Sequence, residues 1–143
     1  MSKFSHLTKL DVRKDMETRI TLYQITGEPI LILSPATEAN KPYYNQVLKQ
    51  QRNAATMIRI KGSITPEQVA KSRDEDKQLY PKHIVKGWEN VLDDKGKKVS
   101  YSTEACEEFL EALPNYIFDE IRNHAQLPSN FFDEIDIEEA EKN

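Results

Sequence analysis

Cysteine is almost missing: Cys106 is the only one in 143 residues, so no intramolecular disulfide can form and no secretory disulfide framework is present. Glycine is nearly as scarce, with four residues and none clustered, which removes any glycine-rich phosphate loop. His6, His83 and His124 stand far apart, without Cys-x-x-Cys or His-x-x-x-His spacing. No metal site and no cofactor is therefore expected. The longest strongly apolar run, Ile30-Leu31-Ile32-Leu33, is far short of the ~20 residues that span a bilayer. The first residues, Met1-Ser2-Lys3-Phe4-Ser5-His6, lack the apolar stretch of a signal peptide, which makes the cytoplasm the expected compartment.

Charge is what the chain has in plenty. Charged residues make up 31% and hydrophobic ones 38%, against typical shares of about 25% and roughly 45–50%. A thin core under a large solvated surface follows. Residues 1–103 carry 18 Lys/Arg and 12 Asp/Glu, a net of +6, whereas residues 104–143 carry 2 and 12, a net of −10. Such asymmetry allows the basic and acidic ends of neighbouring copies to attract each other, screened by salt. It also fits an acidic end that only keeps the protein soluble.

The periodicity predicts α+β structure in one domain over residues 18–128, with a loosely held lead over 1–17 and an acidic tail over 129–143. Arg19 to Ile25 alternates apolar and polar positions and reads as a strand. Thr26-Gly27-Glu28-Pro29 reads as a turn and Ile30–Leu33 as the returning strand, giving a β-hairpin. Asn40 would cap a helix carrying Tyr44, Val47 and Leu48 on one stripe, and Met57–Ile60 fits either the end of that helix or a short strand. Thr65-Pro66-Glu67-Gln68 has capping-box spacing, with Ile64 and Val69 placed for a hydrophobic staple. The helix it starts is expected to reach about Leu79, ended or bent by Pro81. A second hairpin is expected from Ile84–Val91 and Lys98–Tyr101 around Asp93-Asp94-Lys95-Gly96. Ser102 or Thr103 would cap a helix burying Ala105, Phe109, Leu110 and Leu113. Pro114 would start another that buries Ile117, Phe118 and Ile121.

No catalytic constellation emerges, and the chain is not expected to be an enzyme. Cys106 reads as a small buried apolar residue, and Asp93-Asp94 as turn formers in place of metal ligands. The basic stretch from Lys41 to Lys61 reads as the solvated face of a helix, so nucleic acid is not an expected partner. Three aromatics are the candidate partner-binding residues. Trp88, the sole tryptophan, is either a core anchor or a binding hot spot, where tryptophan is enriched. Phe131 and Phe132 precede a run too acidic to bury, and are either an exposed docking element or part of the core.

Around Trp88 the sequence resembles small proteins of tailed bacteriophages. The carriers are Leu79-Tyr80-Pro81, the Gly87-Trp88 pair followed by Val91, Asp93 and Gly96, and the serine-initiated acidic helix at Ser102-Thr103-Glu104. Leu113-Pro114-Asn115-Tyr116-Ile117-Phe118-Asp119 and Asn130-Phe131 continue the likeness, which covers roughly residues 65–132. Many such proteins look like tail assembly chaperones. The resemblance implies a non-enzymatic protein of the infected host's cytoplasm that binds the tape-measure protein or the tail-tube subunits during assembly. The alternative it leaves is a virion structural protein, a head–tail joining or minor tail component.

Overall fold

A computed structural model describes residues 3–7 and 9–142. Strand β1 (Thr18–Thr21) pairs antiparallel with β2 (Ile30–Leu33), with Thr18 opposite Leu33 and Thr21 opposite Ile30. In β2 the side chains alternate, Leu31 and Leu33 fully buried and Ile30 and Ile32 half-exposed, as a strand with one face on the core requires. The expected turn is longer than its composition suggested. The ladder stops at Thr21, Leu22 N–H still reaches the Pro29 carbonyl at 2.8 Å, and the residues between loop outward. Gly27 in that loop has φ 87°, and an added Cβ would stand 2.8 Å from the Leu92 side chain. Only glycine fits there.

The sheet has a third strand, β3 (Val85–Glu89), which pairs antiparallel with β2 and gives the order β1-β2-β3 with an irregularity between Ile32 and Leu33. The expected second hairpin is reduced accordingly. Lys98 returns only as an isolated bridge to Leu92, while residues 85–89 take β2 as their ladder partner. Asp93 does form the turn, its carboxylate accepting from the Lys95 and Lys97 amides at 2.9 Å each.

Helix α1 (Lys41–Lys61) takes in Met57–Ile60, which is therefore the end of the helix, and Gly62 in left-handed conformation closes it. Helix α2 (Pro66–His83) begins with the full capping box and runs through Pro81 for a last half-turn before β3. The ring falls so close to the end that one carbonyl loses its amide partner without breaking the helix. Helix α3 (Thr103–Ala112) starts on Ser102, whose hydroxyl accepts from the Ala105 amide at 3.0 Å. Helix α4 (Asn115–Gln126) follows directly after Pro114. One core unites Leu31 and Leu33 of β2 with Tyr80 of α2, Leu110 of α3 and Phe118 and Ile121 of α4, all fully buried. Burial of each such apolar side chain contributes about 1.5–3 kcal/mol. The class is α+β, a three-stranded antiparallel sheet with five helices among the described residues.

The ends differ from their composition. Of the lead over 1–17, residues 1, 2 and 8 lie outside the described ones; Ser5–Leu7 make a short 3-10 turn and Met16 is buried. In the acidic tail, of which residue 143 lies outside the described ones, a 3-10 turn over Pro128–Phe131 leads into helix α5 (Glu134–Lys142). A second capping box starts α5: the Asp136 amide donates to Asp133 Oδ1 at 2.8 Å and the Asp133 amide to Asp136 Oδ2 at 3.1 Å.

Candidate functional site

The outer parts of α1 and α2 extend as a helical arm whose side chains, from Gln51 to Lys71, are exposed or at most half-buried. Between the two helices, where they join the body, lies a cleft of ≈ 250 Å³. Val47, Ala54 and Met57 supply apolar wall, Gln51 and Gln68 supply carboxamides, and Asp76 and Arg122 stand at the inner end. The Gln68 Oε1 is committed to the Thr65 amide at 2.9 Å, while its buried Nε2 has no hydrogen-bond partner among the described residues.

A chain of charged groups braces the inner end. Arg122 Nε donates to Asp76 Oδ2 at 2.8 Å, and the Tyr43 hydroxyl donates to Asp76 Oδ1 at 3.0 Å. Arg122 also donates to Asp119, which receives a two-pronged contact from Arg73 at 3.1 and 2.9 Å. Forked guanidinium–carboxylate pairs of this kind fix geometry as well as charge. Burial pushes the Tyr43 hydroxyl well above its usual range, helped by Asp76 beside it. The bond from Arg73 holds the Asp119 carboxyl below the usual carboxylate range. Burial opposes the Arg122 charge, but Asp76 outweighs it, so Arg122 stays protonated more firmly than a free arginine. Below this network Tyr80 sits edge-on to Tyr43 and to Phe118, with ring centres at 5.8 and 5.5 Å. These groups are locked together and clamp α1, α2 and α4; the arrangement holds a surface in shape and offers no activated nucleophile. Cys106, the one thiol, is fully buried, and burial pushes it up to about 12.

Trp88 is half-buried and spoken for on every side. Its Nε1 donates to the Val99 carbonyl at 2.8 Å, and its ring meets Tyr101 and Phe109 edge-on at 5.1 and 5.4 Å. Tyr101 in turn donates to the Val85 carbonyl at 2.6 Å, tying the Trp88 cluster to the start of β3. Phe131 and Phe132 line a separate groove with Met16, Thr18 and Arg19. Of the two alternatives, Phe131 takes the core one, being only 4% exposed, and Phe132 is half-buried. Asn130 is the cause: its amide donates to the His124 carbonyl at 3.0 Å, seating the turn on the end of α4. Its second contact, to His124 Nδ1 at 3.3 Å, makes that nitrogen the acceptor and leaves Nε2–H to donate to Thr18 at 3.1 Å.

The cleft brings together Tyr43, Gln68, Asp76 and Arg122, none of which stood out in the sequence as a site residue. Only Gln68 carried a signal, as the fourth member of the capping box. Among the described residues, no group of three or more His, Cys, Asp or Glu could hold a metal ion, and no helix is long and apolar enough to cross a membrane.

The model of the YdaY prophage protein family matches residues 38–143. The chain belongs to that family. The matched stretch runs from just before α1 through α5 and takes in the cleft, Trp88 and both phenylalanines, whereas β1 and β2 precede it. Membership of a prophage family makes this a phage-associated protein, the broader part of what the residues around Trp88 suggested. No curated protein and no solved structure matches the chain.

Proposed function

We propose that the protein is a non-catalytic phage tail assembly chaperone, with the α1–α2 cleft as its docking groove for an amphipathic helix of the tape-measure protein or a tail subunit. The observation that carries this reading is the cleft itself, a space of ≈ 250 Å³ between two projecting helices with an apolar strip of Val47, Ala54 and Met57 among polar side chains, braced at its root by the Asp76–Arg122 pair. Grooves between helices take amphipathic helices by their apolar face, and carboxamides such as Gln51 and Gln68 satisfy polar groups at the edge. Work in the host cytoplasm follows from this role.

The test is co-expression with the tape-measure protein encoded by the same phage. The chaperone reading expects a soluble complex, its loss on Ala54→Glu or Met57→Glu, and absence of the protein from purified virions. Recovery from virions at a fixed copy number, with no capture of the tape-measure protein, would replace it with the head–tail joining or minor tail role.

A further inference from the structure

Two exposed surfaces of this chain each carry isoleucine and oppose each other in charge. The first is the tip of the arm. Ile60, Ile64 and Val69 gather around the Gly62 turn and are 71%, 66% and 52% exposed. The expected staple positions are thus occupied, yet most of their surface faces water. Arg59 and Lys61 flank this apolar tip, and neither meets a carboxylate within ion-pair distance among the described residues. Three large aliphatic side chains left in water at one turn form the kind of patch that marks an interaction surface.

The second surface is α5. Glu134, Glu138 and Glu141 follow at i, i+4 and i+7 on one stripe, with Ile135, 65% exposed, beside it. Lys142, at i+4 from Glu138, is the one cation of α5, and it leaves the glutamate stripe net negative. The stripe suits a basic surface brought from outside.

We infer that the arm tip of one copy receives α5 of a second copy of this chain, isoleucine against isoleucine, with the glutamate stripe lying on Arg59 and Lys61. A second copy is the occupant because each chain carries both halves of the contact, in equal number and of opposite sign. When two copies exchange the contact mutually, the assembly closes as a two-fold dimer with two identical junctions. The surface is distinct from the cleft, so this inference stands apart from the chaperone reading. A contact this small belongs to the weak, reversible class, and its charges make it fall apart in salt.

The experiment measures mass by sedimentation at about 100 µM protein, in about 50 mM and about 500 mM salt. The full chain should be dimeric at low salt and monomeric at high salt. Two full-length variants then separate the halves: Arg59→Glu with Lys61→Glu on the arm, and Glu138→Lys with Glu141→Lys on α5. All four side chains lie at the surface, so both variants should fold with the wild-type melting profile. Each should be monomeric alone, since its arm and its α5 then carry the same sign. Mixed in equal amounts they should form a dimer of one copy of each, because every arm then faces an α5 of opposite sign. A monomer at low salt, a dimer that neither variant weakens, or a mixture that stays monomeric would overturn the inference.

Discussion

Residues 66–75 of α2 bury no side chain, whereas the inner end of the same helix buries Asp76, Lys77, Tyr80 and Pro81. One continuous helix thus lives under two sets of rules. The inner end is held by what it packs against: Tyr80 lies between two aromatic rings, and Asp76 is bonded from two other helices' side chains. The outer end is held by local chemistry, the Thr65–Gln68 box and the proline at its first position. A helix of this length is marginal in water when nothing packs on it, so the caps matter most where the core does least. The body spends its apolar side chains inward, and the arm presents them outward.

Breaking the body should cost most. Phe118→Ala removes a fully buried ring shared by Tyr80 and Arg122 and should destabilise by about 3–5 kcal/mol. Ile60→Ala, at a side chain 71% exposed, should leave the urea midpoint unchanged. A similar shift for both would erase the distinction between body and arm.

Next in size is the brace between them. Arg122→Ala strands the buried Asp76 carboxylate and should cost about 3 kcal/mol, recovered in part by adding Asp76→Asn. Additive losses in the double variant would mean that the pair is not coupled.

Thr65→Ala should cost about 1 kcal/mol by unmaking the capping box. Its mark should be local, with faster amide exchange in residues 66–72 and unchanged protection in α4. Equal acceleration in both would show that the arm and the body open together.

The smallest effect is electrostatic. Burial lowers the affinity of His124 for a proton, and the bonds from Asn130 and to Thr18 suit the neutral ring. Burial depresses His83 as well, with Lys82 and Lys14 adding to it. A histidine whose folded value lies under its unfolded value of 6.5 gives full stability above that pH and loses it as pH falls through the interval beneath. The urea midpoint should therefore decline as pH drops below 6.5, and His124→Gln should make the decline shallower. A midpoint equally steep in the variant would assign the slope to other groups.

The parts legible in the sequence were those written in neighbouring residues. Thr65 to Gln68 announced a helix start, and Ser102 and Pro114 marked two more. The stripe of Ile117, Phe118 and Ile121 faces the core as its spacing required. What stayed hidden depends on distant pairings. Asp76 and Arg122 are 46 positions apart, and each looks like an ordinary surface charge until the helices meet. The third strand pairs with β2, more than fifty residues earlier, a partner that no local pattern announces. Whether Phe131 is core or exposed stayed open because acids follow it, and the side chain that seats it, Asn130, carries no local sign of its contact with His124. The candidate site was the least legible part, since a cleft between two helices exists only once both are in place.

Asn40 shows what such a distant pairing can govern. It stands at the cap position of α1, yet its side chain makes no cap bond. Its buried amide donates instead to the Pro35 carbonyl and to the His83 carbonyl, each at 3.1 Å. The first residue before α1 and the last residue of α2 are thereby latched together at one small group. The latch adds to the Tyr43–Asp76–Arg122 clamp, so the crossing of the two helices is set at the root of the arm and not along its length. Like a pin through the base of a pair of tongs, that one carboxamide fixes where the two helices meet and so the spread of the cleft between them.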